Sequence, residues 1–128
     1  MKKMLPLIVL LLALFFCACE AKPSTNASKK ALAVATQAVQ ALDGYLDGEL
    51  SGKECSDKLD GLNGQMAYVH DFSAPMSDDE RADWNICFNI TMANHEVIMD
   101  WYDGNPDTFQ KVIDYRNELA TIIGEKPR

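Results

Sequence analysis

From residue 28 onward the apolar side chains return every three or four positions, the spacing of one face of an α-helix. In the first segment Leu32, Ala35, Val39, Leu42 and Leu46 form a single stripe along an alanine-rich helix, which Asp47-Gly48 ends. Ser51 opens a second segment. Glu54, three residues on, completes a capping box in which each residue's side chain accepts the other's backbone N–H. The stripe there is Cys55, Leu59, Leu62, Met66 and Val69, and the helix is expected to run to about His70. Gly61 and Gly64 lie on its other face, each costing up to about 1 kcal/mol of helix propensity, so this helix depends on packing.

A second capping box, Ser77 with Glu80, starts a long segment expected to reach about Tyr102. Its apolar face reads Trp84, Cys87, Phe88, Thr91, Ile98 and Trp101 or Tyr102, widened by Ile86, Ile90, Val97 and Met99. So wide a face predicts the central, most buried helix. Asp103-Gly104-Asn105-Pro106 is a stop followed by a start: Gly to end one helix, Asn to cap the next, Pro in its first turn. Phe109, Val112, Ile113, Arg116, Leu119 and Ile123 carry the last helix to Gly124. No stretch alternates with period two for long enough to make a strand. The expectation is an all-α fold, an antiparallel up-and-down four-helix bundle over residues 28–128.

The N-terminus follows different rules. Lys2 and Lys3 precede sixteen uncharged residues, Met4 to Cys19, and Glu20 is the first acid. A basic start, an apolar run and a small residue near its end make a cleaved signal peptide over residues 1–18. The run is too short for a bilayer core, which takes about 20 residues, and Pro6 interrupts it. Cleavage removes Lys2 and Lys3, leaving ten basic residues against nineteen acids, a net charge of −9 in place of −7. Such a domain lacks the clustered Lys and Arg of nucleic-acid binders. Nor does its charge draw it to an anionic membrane, so anything holding it there must be a lipid or a partner.

Phe16-Cys17-Ala18-Cys19 resembles a bacterial lipobox, with Ala18 as the small residue before the cut and Phe16 and Cys17 standing where Leu and a small residue are usual. The resemblance implies a bacterial lipoprotein in which Cys17 leaves with the signal. Cys19 becomes the N-terminus and carries diacylglycerol on its sulfur. Each buried methylene contributes about 0.8 kcal/mol, and two acyl chains hold where one would come and go. The implied address is the cell membrane, facing outside the cytoplasm; ordinary signal-peptidase cleavage nearby would instead give a secreted protein. C-A-C is one residue too short for a redox C-x-x-C, and a zinc site lacks further ligands nearby. Residues 19–27 then form the lipidated cysteine and a flexible linker. Glu20 to Ser28, nine polar or small residues, spans roughly 17 Å as a coil.

Outside the cytoplasm Cys55 and Cys87 raise two readings: a disulfide, or two buried thiols acting as small apolar fillers. An antiparallel pair turning near residue 73 makes residues face when their numbers add to about 146. Cys55 and Cys87 miss that by only about 6 Å of sliding. Catalytic chemistry is not found. His70 ends a helix, and His95 in "MANHEV" has no partner histidine for a zinc helix. The acids in "LDGYLDGE", "SDKLDG" and "MDWYDGNPD" do not follow the calcium-loop spacing, so neither a metal nor another cofactor is expected. Trp101-Tyr102, between Asp100 and Asp103, either completes the core or forms a partner surface. The functional expectation is a non-catalytic cell-envelope lipoprotein that binds or scaffolds a protein partner. The alternative is a bundle that binds a small molecule or cation in a gap of its core or at the acidic turns, a reading that a cavity lined by Trp84, Phe88 and Met92 would favour.

Overall fold

The computed structural model describes residues 26–66 and 75–128. The expected signal peptide of residues 1–18, with Cys17, and also Cys19, Val69 and His70, lie outside the described residues. Four helices follow in order: α1 (Lys29–Leu46), α2 (Gly52–Gln65), α3 (Asp78–Asp103) and α4 (Pro106–Ile123). Among the described residues there is no strand. The helix starts are those the sequence dictates. Ser28 caps α1, and both capping boxes form, Ser51 with Glu54 and Ser77 with Glu80. Asn105 caps α4, its Oδ1 accepting the Asp107 N–H at 2.9 Å ahead of a first turn that contains Pro106. Gly104 and Gly124 stop α3 and α4 in the left-handed region, φ +58° and +80°, which a side chain would strain.

α1 and α3 each pack against both α2 and α4, and touch each other less across the diagonal. That is the closed ring of an up-and-down four-helix bundle, each helix antiparallel to its chain neighbours. The diagonal helices run parallel and are tied near both ends. Ser28 donates its N–H and its hydroxyl to the two oxygens of Asp83, at 2.7 and 2.8 Å. Tyr45 donates its hydroxyl to Asp100. Both ties join residues 55 positions apart, so α1 and α3 keep one register along their shared length.

The core face of α2 is the predicted one, with Cys55, Leu59, Leu62 and Met66 buried. Ala35, Val39 and Leu42 of α1 are buried as expected, while Leu32 and Leu46 sit at the rim. The face of α3 is rotated from its predicted centre. Its buried stripe is Ile86, Ile90, Ala93 and Val97, while Trp84 and Phe88 remain 38% and 44% exposed and Thr91 is exposed. The reason lies across the bundle. Ala31, Ala35 and Ala38 of α1 are fully buried, so the interior is narrow, and branched aliphatic side chains fill it where an indole would overpack it.

The α2–α3 contact is partly polar. Asn63 donates to Thr91 Oγ1 at 3.0 Å, Asn94 donates to Asp60 Oδ1 at 2.6 Å, and the Cys87 thiol points at Asn63 Oδ1 at 3.6 Å. The numbers of these facing pairs add to 150 or 154, not 146, so α3 overhangs the end of α2 by about nine residues. This overhang decides the cysteines. Cys55 and Cys87 lie roughly 12 to 18 Å apart along the helix axes, whereas a disulfide needs Cα atoms within about 7 Å. Both thiols are free, Cys55 buried and Cys87 half-buried, so the disulfide expectation is corrected. Cys55 instead donates weakly to the Ala41 carbonyl at 3.5 Å, and burial pushes its thiol pKa up to about 12.

Candidate functional site

The end of the bundle formed by the α3–α4 turn and the start of α2 gathers the sequence-predicted aromatics. Trp101 and Tyr102 are the two residues before Asp103, the last of α3, after which Gly104 turns the chain into α4. Their rings lie 5.2 Å apart, tilted by 41°. Trp101 is 48% exposed and Tyr102 76%, so the pair is a surface feature and does not complete the core. The covered part of Trp101 rests on Gly52, the first residue of α2. A Cβ there would stand 2.5 Å from the indole Cγ and 2.6 Å from its Cβ, so only glycine allows the indole to lie this close. Phe109, in the first turns of α4, adds a third exposed ring to this end of the molecule.

Beneath the rings a polar joint fixes the helices. Asp100 accepts from Tyr45 of α1, and the Thr108 hydroxyl of α4, which donates to the Asn105 carbonyl at 2.7 Å, stands 3.5 Å from the same carboxylate. Burial and the Asp100 carboxylate together push the Tyr45 hydroxyl far above its ordinary pKa, so it stays a donor. The exposed acids Asp103 and Asp107 flank the aromatic pair. Ser28, where α1 starts, is bonded to Asp83, eighteen residues before Trp101. At 1.5 Å per residue the aromatic end therefore lies about 27 Å from the end at which the chain comes into the bundle.

A second polar cluster closes the α1–α4 seam. Arg116, buried on the core side of α4, forms a two-pronged pair with Asp43 at 2.9 and 3.0 Å and donates to the Lys126 carbonyl at 2.9 Å. Arg128 also reaches Asp43, at 3.0 Å, and pairs with Asp47. Asn117 holds the same segment by accepting the Arg128 N–H at 2.8 Å. Burial works to raise the Asp43 carboxyl, but the hydrogen bonds and charges of both arginines outweigh it and hold it below the usual carboxylate range. Every cationic group here is satisfied by the fold, so the cluster reads as a clasp.

Between α1 and α2 an open groove of about 470 Å³ is lined by Gln37, Gln40, Asp57, Lys58 and Gln65, with Gly44 and Gly61 leaving it wide. Trp84 and Phe88, whose cavity would have favoured small-molecule binding, instead stack on each other on the outside of α3. His95 is exposed. Among the described residues no three His, Cys, Asp or Glu side chains converge as metal ligands would. Among them, too, no helix is long and apolar enough to cross a membrane.

Sequence reasoning located Trp101 and Tyr102 but missed the groove, the Asp43–Arg116–Arg128 clasp and the outward position of Trp84 and Phe88. The only available signal for the clasp was an arginine at a core position of α4, which requires a buried acceptor. The molecule is thus an all-α, up-and-down four-helix bundle with an exposed aromatic end. No family model matches the chain, and no curated protein or solved structure matches it either.

Proposed function

We propose that this protein is a bacterial cell-envelope lipoprotein, anchored through Cys19, whose acidic bundle binds or scaffolds a protein partner through Trp101 and Tyr102 without catalysing a reaction. The observation that carries this reading is the position of the rings. Trp101 and Tyr102 stand exposed at the end of the bundle opposite Ser28, so a tether at Ser28 would turn them away from the membrane. Aromatic side chains with a half-covered base and a polar surround are what protein interfaces use as anchors. The bond from Tyr45 of α1 to Asp100 beneath them ties the end of α3 to a second helix before binding.

The anchor is tested by the intact mass of the membrane-fraction protein beside Cys19→Ser. A diacylglyceryl mass and release of the variant from the membrane are expected; wild type without lipid, or anchoring that survives the substitution, refutes it. The partner surface is tested in cells with a photo-crosslinking residue at position 102 and a control at position 111. One discrete adduct at position 102 only, reduced by Trp101→Ala, is expected. Adducts equal at both positions would refute the site.

The groove between α1 and α2 favours a second reading, a small polar ligand or cation held by Gln37, Gln40, Asp57 and Gln65. Chemical-shift changes confined to these residues on screening polar metabolites and divalent cations would support it, and their absence would count against it.

A further inference from the structure

α3 carries a second aromatic pair for which the partner site has no use. Trp84 and Phe88 stack with ring centroids 5.3 Å apart and planes at 19°, on the outer side of the helix. Exposed indole and phenyl rings held against each other form a compact apolar patch, small enough that its position on the molecule must say what it is for. What covers it follows from where the chain comes into the bundle.

Ser28 is clamped by its N–H and its hydroxyl to both oxygens of Asp83, the residue immediately before Trp84. The segment that precedes Ser28 therefore reaches the bundle beside the indole. Lys29, Lys30 and Arg81 are exposed at this end and offset the exposed Asp78 and Asp79. A hollow of about 410 Å³ lined by Asp78, Arg81, Ala82 and Asn85 opens next to Trp84.

We infer that Trp84 and Phe88 are a membrane-docking site, and that their occupant is the interfacial layer of an uncharged or zwitterionic bilayer. The inference rests on the lipid anchor proposed for Cys19. Given that anchor, a flexible coil of the length of Glu20 to Ser28 would put the pair at a root-mean-square distance of roughly 17 Å from the headgroups. At that range the lipid is always present at high effective concentration, so two rings suffice where they would never capture a membrane from solution. Indole is the side chain best suited to the headgroup layer, with an apolar body and one N–H donor. The local charges at this end cancel and the net charge of the chain is negative, so charge gives anionic lipid no advantage and the site is assigned to a neutral surface. α3 then acts as a strut, one aromatic pair on the bilayer and the other about 26 Å along the helix.

The chain contains two tryptophans, Trp84 and Trp101, so each can be watched alone. The lipidated full-length protein is reconstituted in phosphatidylcholine vesicles with brominated acyl chains, as Trp101→Phe and as Trp84→Phe, and circular dichroism checks that both are folded. Trp84 emission in Trp101→Phe should shift to the blue and be quenched several-fold more than Trp101 emission in Trp84→Phe. Adding Phe88→Ser to Trp101→Phe should reduce that quenching. Equal quenching of both tryptophans, or of neither, in protein that floats with the vesicles overturns the docking site and leaves the anchor standing. A blue shift of Trp84 seen in native membranes but not on pure lipid assigns the pair to a protein and likewise overturns it. Protein that carries no lipid and does not float overturns the anchor, and the docking site with it.

Discussion

Two glycines of α2 give opposite answers to the same substitution. At Gly61 an added Cβ would meet nothing within 4 Å, so Gly61→Ala simply restricts the unfolded chain. A gain of about 0.4 to 1 kcal/mol is expected. At Gly52 the Cβ would lie 2.5 Å from Cγ and 2.6 Å from Cβ of Trp101, where ordinary carbon contacts are near 3.5 to 4 Å. The Trp101 Cβ is fixed to the α3 backbone, so the clash is not relieved by swinging the ring. The first turn of α2 must instead retreat from α3 by about 1 Å. Overpacking of this kind costs about 1 to 3 kcal/mol, and the entropic gain of alanine offsets only part of it. Gly52→Ala should therefore be less stable than wild type by about 1 to 2 kcal/mol, at roughly 4 to 8 °C of Tm per kcal/mol for a domain of this size. Urea unfolding of both variants in the Trp84→Phe background, where emission reports Trp101 alone, separates the effects. Gly52→Ala should also shift that emission as the indole loses its seat. A Gly52→Ala protein as stable as Gly61→Ala, with unchanged emission, would refute the close packing of Trp101 on α2.

Other outcomes follow from the polar contacts and the thiols. Asp43→Asn leaves Arg116 buried with the Lys126 carbonyl and a distant Glu125, and should cost about 2 to 3 kcal/mol in denaturant unfolding, less than a fully orphaned buried charge. Because the folded Asp43 pKa is lowered, its contribution is present above the unfolded carboxyl value near 4 and is lost as pH falls through the lower folded value. Wild type should accordingly lose stability on acidification across that window, and Asp43→Asn should lose less. Cys87 should react slowly with a thiol reagent in the native state, Cys55 only on unfolding, and both fully in unfolded protein that was never reduced. A mass two protons lighter would contradict the register of α2 on α3. Asp83→Asn weakens both bonds to Ser28 and should raise amide exchange in the first turn of α1, with about 1 kcal/mol or less lost globally.

How far the sequence could be followed depends on how local each feature is. Both capping boxes, the Asn105-Pro106 start and the Gly104 stop involve residues within a turn of each other, and all form as expected. The bundle follows from four amphipathic stripes in succession. The orientation of α3 was harder because it is apolar on two sides, Ile86, Ile90 and Val97 against Trp84 and Phe88, and periodicity does not choose between them. The choice is made by the small side chains of α1, a contact between segments some 55 residues apart. The same holds for the thiols, whose separation depends on the pairing of Asp60 with Asn94 and of Asn63 with Thr91. Of the candidate site, the aromatic pair at a helix end was legible. Its seat on Gly52 was not, because nothing in the chain relates that glycine to a tryptophan 49 positions later.

The Ser28–Asp83 clamp has a mechanical side. A pull on the chain ahead of Ser28 would arrive at α1 and at the base of α3 together, through two hydrogen bonds to one carboxylate. The load is thereby shared with the longest helix of the bundle, and α1 is not peeled turn by turn from its free end. A domain held by one terminus in a jostling environment would resist unravelling at its attachment point, the place where a tethered bundle is otherwise weakest.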